Sequence, residues 1–283
     1  MAVSYEHLMS VRTMDERVSH TDRETLLYAL SVGMGRDPLD ALELPYVYEG
    51  HGLKTLPSMA TVLMRIPVLE SGLDLPGVLH GEQRLVLHRP LPPAGELLRD
   101  SRIAAVYDRG VGKGAIVLME ARARMAIDDA PLFTATSVLF ARGDGGCGGP
   151  GGRPPRPHAM PERRPDGTLR LETRADQALL YRLNGDRNPL HADPAVAART
   201  GFAVPILHGL CSYGSACRGL LQAVAGYDHR RITGLDVRFT SPVFPGEALE
   251  MDYWLDGAAV SFRCRIPARG VVALDNGRCL LAA

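Results

Sequence analysis

Two stretches decide how this 283-residue chain is read: "TLLYALSVGMGRDPLD" at 25–40 and "ALLYRLNGDRNPLH" at 178–191. Aligned, they place Tyr28 opposite Tyr181 and Pro38 opposite Pro189. Working outward, "TLPSMATVLM" (55–64) falls opposite "ILHGLCSYGS" (206–215), and "HRPLPPAGELL" (88–98) opposite "TSPVFPGEALE" (240–250). All three blocks share an offset of 151 to 153 residues. Matches in order at one offset indicate an internal duplication. Between the copies lies "GDGGCGGPGGRPPRPHAMPERRPDG", with seven Gly in its first eleven positions and then Pro and Arg. That composition buries no core and predicts a linker, flexible at first and then extended. The expected division is a first half at 1–142, the linker at 143–167 and a second half at 168–283.

Each half shows the same order of signals. A capping box opens a helix, Thr21 with Glu24 and Thr173 with Asp176. A longer apolar helix is expected near 57–66 in the first half and 209–225 in the second. Short β-rich runs follow, among them "GAIVLMEARARMAI" (114–127) and "ITGLDVRFTSPV". One long helix followed by antiparallel strands is an α+β pattern in which a sheet wraps a helix.

The bulk numbers narrow the function classes. Hydrophobic residues make up 46% and charged residues 23%, as in an ordinary globular protein. Lys+Arg and Asp+Glu both total 32, so no global charge argues for nucleic acid or an anionic membrane as partner. No apolar run approaches the roughly 18 residues of a membrane span. The charged N-terminal stretch has no signal-peptide core, and "CLLAA" at the end is no peroxisomal address. Five cysteines, an odd number without metal-site spacing, read as reduced thiols and point to the cytoplasm.

The loop in "LNGDRNPLH" carries the chemistry. Pro189 forbids a continuous helix and pushes Asn188 toward extended backbone, so Asp186 and His191 sit on an irregular segment. A carboxylate and an imidazole five residues apart can hold one water, one group taking a proton while the other donates. Gly-Asp-x-Asn-Pro is also good turn chemistry by itself. The duplicate changes the weight, because Asp40 stands where His191 stands and no unambiguous counterpart of Asp186 survives. One working and one retired site is the natural account.

Gly209 falls where the long helix begins, so its N–H suits an oxyanion forming on a carbonyl, although close packing alone also calls for glycine. Its first-half counterpart is Ser58. His208 is either a further polar group in the site or a structural histidine. "GVGKG" (110–114) is expected to be a hairpin turn. Lys113 and Arg238 are candidate contacts for the phosphates of a substrate. Asp186, His191, His208 and Asp193 lack a standard ligand spacing, so no metal is expected.

"YRLNGDRNPLHADPAVAARTGFAVPILHGL" resembles the signature of the MaoC-like, type-2 (R)-specific enoyl-CoA hydratases. "YALSVGMG", "LKTLPSMATVL", "LHGEQRLVLHRPLPPAGEL" and "DRGVGKGA" resemble the first half of the double-length members. Asn184 departs from the small Ser-like residue common there. The resemblance implies a double hotdog, two antiparallel sheets each wrapped around a long helix. It implies reversible syn addition of water to a trans-2-enoyl-CoA, giving the (R)-3-hydroxyacyl-CoA, with no cofactor beyond the CoA of the substrate. In it Asp186 and His191 share the acid–base work, Asn188 orients one of them, and the Gly209 N–H takes the thioester oxygen. The retired half would accommodate a long or bulky acyl chain. Alternatives are a hotdog thioesterase or acyl-carrier-protein dehydratase, and a non-catalytic acyl-CoA-binding subunit. Oligomeric state stays open, with a homodimer as one option.

Overall fold

The computed structural model describes residues 3–282. The first half supplies β1 (Arg12–His20), β2 (Val78–Leu87), β3 (Gly95–Asp108), β4 (Ala115–Met125) and β5 (Pro131–Ala141). The second supplies β6 (Gly167–Glu172), β7 (Ile232–Phe239), β8 (Ala248–Asp256), β9 (Ala259–Ile266) and β10 (Val271–Leu281). β2 pairs with β7 from Glu82–Arg238 to Val86–Gly234. The two five-stranded sheets thereby run on as one antiparallel sheet of order β1-β3-β4-β5-β2-β7-β10-β9-β8-β6. This is the double hotdog, with its two sheets joined edge to edge. The junction satisfies the backbone groups of two strands that would otherwise be open edges.

The long helix Gly209–Val224 lies against the sheet, with ten residues buried from Cys211 to Leu221. Its small residues let the first half approach. A Cβ on Gly214 would stand 2.5 Å from Val32 Cγ1, so only glycine fits that crossing. Tyr28, Tyr46, Leu56 and Met59 of the first half share one core with Tyr213, Leu220, Phe262 and Cys264 of the second. A smaller core, with Leu8, Ile103, Val117 and Leu139, lies at the outer end of the first half.

Several expectations are corrected. The first-half helix at 57–66 shrinks to a 3-10 turn, Pro57–Met59, and one α-turn, Ala60–Leu63. Pro67 biases Ile66 to extended backbone, and the β-branched Thr61 and Val62 resist helix. The capping box at Thr21 and Glu24 forms. That at Thr173 does not: its hydroxyl donates to the Glu247 carbonyl and accepts from the Gly246 N–H, while Asp176 pairs with Arg174. The Gly-rich segment is pinned rather than loose. Asp108 accepts from the N–H groups of Gly146 and Gly148, which hold its carboxyl below the usual range, and Cys147 is buried. The Pro/Arg part runs over the second half, with His158 Nε2 2.8 Å from Ser261 Oγ and Trp254 Nε1 donating to the Arg163 carbonyl. Residues 110–114 form the expected turn between β3 and β4, closed by Lys113 N–H to the Gly110 carbonyl. Among the described residues no helix is long and apolar enough to cross a membrane.

Candidate active site

The loop after Tyr181 is built by local polar groups that also aim its side chains. The helix Gln177–Tyr181 tightens into a 3-10 turn, and Gly185 at φ 118° lets the chain leave it. Asn184 Nδ2 donates to Tyr181 O and to Ser31 Oγ, both at 2.9 Å, tying this exit to the first half. Asp186 Oδ1 accepts from the Asn188 N–H at 3.1 Å. Asn188 Oδ1 in turn accepts from the Leu190 N–H at 3.0 Å and caps the turn Pro189–His191. The turn reading and the functional reading are thus the same structure: Asn188 holds Asp186 through its backbone and His191 through the turn it caps.

His191 has one ring nitrogen committed. Its Nδ1–H donates to the Ile206 carbonyl at 2.8 Å, so Nε2 carries the lone pair. The His208 ring stacks on it with centroids 3.7 Å apart and planes at 27°. His208 Nε2–H donates to the Asp186 carbonyl at 3.2 Å, and its Nδ1 is buried without a partner. Burial holds the pKa of His191 and of His208 below the usual histidine value, although the Asp186 charge opposes it. For His208, repulsion from His191 adds to burial. Both rings are therefore neutral at neutral pH, and His191 Nε2 is free to accept a proton. Asp186 is exposed, yet one donor atom from each of Asp186, His191 and His208 lies within 4.8 Å of the others.

Gly209 opens the sixteen-residue helix beside this cluster, where the helix itself offers its N–H no acceptor. The helix dipole adds positive potential there. A Cβ at Gly209 would meet the Phe239 ring at 3.3 Å, and Phe239 packs on His80 with centroids 4.9 Å apart.

The structure brings Asp186, Asn188, His191, His208 and Gly209 together and leaves others out. Arg238 follows the strand alternation: Val237 and Phe239 face the helix, so Arg238 points to the opposite face, exposed. Lys113 is exposed at its hairpin tip. Asp193 caps the helix Pro194–Arg199 through Ala195 N–H. Asp40 serves structure too, accepting from the Leu42 N–H at 2.9 Å and from the Tyr227 hydroxyl at 3.4 Å. Sequence reasoning missed Tyr181, whose ring lies 4.9 Å from that of His208, and also Phe239 and His80. His80 comes from β2 of the first half and feels the Asp186 charge. Only the β2–β7 pairing brings it there, so no local spacing could have shown it.

Comparison with known proteins matches both halves of the chain. The MaoC like domain matches residues 157–274, and the MFE-2 hydratase 2 N-terminal domain matches residues 18–143. The chain is 41% identical over 270 residues to 3-hydroxyacyl-thioester dehydratase Y of Mycobacterium tuberculosis, covering 91% of each. It is 34% identical over 291 residues to the peroxisomal enoyl-CoA hydratase 2 of Arabidopsis thaliana, covering 94% of this chain and 92% of that one. The crystal structure of a MaoC-like dehydratase from Phytophthora capsici superposes with a TM-score of 0.86 at 29% identity, covering 99% and 98%. The chain belongs to the MaoC-like dehydratase family, in the double form that carries a hydratase 2 N-terminal domain ahead of the MaoC-like one.

Proposed function

We propose that this chain is a hydro-lyase that adds water reversibly to trans-2-enoyl-CoA thioesters, giving (R)-3-hydroxyacyl-CoA. The observation that carries the reading is the His191 tautomer, fixed by the Ile206 carbonyl so that Nε2 is free, on a ring with a nitrogen within 4.8 Å of an Asp186 carboxylate oxygen. A water held between the two loses a proton to His191 Nε2 as its oxygen adds to C3 of the enoyl chain. Charge moves through C2 to the thioester oxygen, where the Gly209 N–H and the helix dipole receive it. The pair then returns a proton to C2 on the face from which the water came, so the addition is syn. The chemistry calls on the CoA ester and these side chains alone, with no further cofactor. The first half, without a working pair, is assigned to the acyl chain.

The five free, buried cysteines support a cytoplasmic setting, and the proposed assembly is a homodimer, to be read by light scattering. Loss of enoyl-thioester absorbance with crotonyl-CoA and with a longer-chain enoyl-CoA tests the reaction. Release of free CoA would instead assign a thioesterase, and tight binding without turnover a non-catalytic subunit.

A further inference from the structure

We propose that His208 is a positioning residue of this site: its Nε2–H holds the Asp186 main chain and its ring face holds the His191 ring, which sets the two acid–base groups against each other. This role rests on the proposed hydratase reading, and it gives His208 no contact with substrate. The Nε2–H donates to the Asp186 carbonyl at 3.2 Å. Among the described residues the Asp186 main chain has no other hydrogen bond. The Asp186 carboxylate bonds the Asn188 N–H two residues on, a contact that travels with the loop and does not anchor it. Gly185, at φ 118°, lets the chain turn just before. The tie to His208 therefore fixes where the exposed carboxylate stands.

His191 is held at one edge by its bond to the Ile206 carbonyl, which leaves the ring free to turn about that bond. The His208 ring, with centroids 3.7 Å apart and planes at 27°, closes that freedom. His208 is itself fixed. It is 1% exposed, the Tyr181 ring lies 4.9 Å away, and its carbonyl accepts from the Cys211 and Ser212 N–H groups at 3.0 and 3.2 Å. One residue thus joins the start of the long helix to the loop that activates the water. The stack also demands a neutral ring. With centroids 3.7 Å apart, two imidazolium charges would repel, so His208 has to stay uncharged when His191 takes the proton. Burial ensures this, with repulsion from His191 and Arg182 added and the Asp186 charge opposed. Its Nδ1 is buried without a partner, a cost that phenylalanine in the same place would avoid.

Two substitutions separate the two holds. His208→Phe keeps a ring against His191 and removes the donor to Asp186; His208→Gln offers an amide donor to Asp186 and removes the ring. With crotonyl-CoA, His208→Phe is expected to lower kcat at least about tenfold with KM within about threefold of the parent, since a misplacement of about 1 Å costs up to about 10²-fold. His208→Gln is expected to move the acid limb of kcat/KM up toward the ordinary histidine value of 6.5, because His191 loses the ring that shields it from water. A merely structural loss lowers the rate and leaves that limb in place. The same shift is read from the His191 ring by NMR titration, whether or not the protein turns over. Asp186→Asn combined with His208→Phe should be no more than about threefold slower than Asp186→Asn alone, because the carboxylate to be placed is already gone. His208→Gln keeps the test standing if His208→Phe does not fold. Parent-like kcat in His208→Phe, an unmoved limb in His208→Gln, or losses that multiply in the double variant each overturn the proposal. A parent that hydrates no enoyl-CoA, with the His191 titration still moved in His208→Gln, would uphold the hold on His191 and reject the hydratase reading.

Discussion

Replacing Arg218 by Met should unfold this protein several degrees early, because the guanidinium is the counter-charge of a buried carboxylate. Arg218 Nε donates to Glu43 Oε1 at 2.8 Å, with side chains 15% and 3% exposed. Glu43 Oε2 accepts from the Gly35 N–H at 2.7 Å. Glu43 belongs to the first-half loop and Arg218 to the long helix, so the pair clamps one half onto the other. Breaking a buried pair from one side strands a charge and costs about 3–5 kcal/mol. At about 2 °C per kcal/mol for a chain of this length, the thermal midpoint should fall by about 6–10 °C. Arg218→Met combined with Glu43→Gln removes the stranded charge while the amide oxygen still accepts from Gly35. This double variant should recover at least half of the loss. Scanning calorimetry of parent, single and double variants reads both numbers. A single variant within about 2 °C of the parent would refute the clamp. So would a double variant as unstable as the single one.

The lowered pKa values of His191 and His208 set the pH behaviour. Because the neutral ring is the active form, the acid limb of kcat/KM for hydration should lie below the ordinary histidine value of 6.5, and a limb above it would contradict the burial argument. The unfolded chain takes up these protons at higher pH than the folded one. The stability contributed is therefore complete above about pH 6.5 and is lost as pH falls through the folded values, as denaturation at stepped pH would show. Asp40→Ala removes turn bonds far from the chemistry and should leave turnover unchanged; a loss as large as that of a His191 variant would end the idea of a retired half. Gly209→Ala adds a Cβ 3.3 Å from the Phe239 ring, where the thioester oxygen must reach the helix N–H. It should lower kcat/KM about tenfold or more, given that one oxyanion donor is worth roughly 10²–10³, and wild-type kinetics would take the helix start out of the mechanism.

The local chemistry of the loop was legible in the sequence because it is local. Gly185, Asn188 and Pro189 build the turn from their own backbone preferences, and the turn aims Asp186 and His191. The duplication singled out the loop that keeps both titratable groups by contrast with its copy. What stayed hidden depends on contacts distant in sequence. His80 reaches the site through the β2–β7 pairing, and Tyr181 through packing on His208. The linker's composition conceals that its glycine N–H groups have Asp108 to bind. Thr173 matched a capping pattern, yet the 246–247 turn claimed its hydroxyl. Arg238 was one residue out of phase with the face that matters.

The most direct test of the account is the hydration rate of crotonyl-CoA by Asp186→Asn and by His191→Ala, each checked for native circular dichroism. Each should be slower than the parent by at least about a hundredfold, the lower range of general acid–base catalysis. Parent-like turnover in either variant would contradict the claim that these two side chains activate the water.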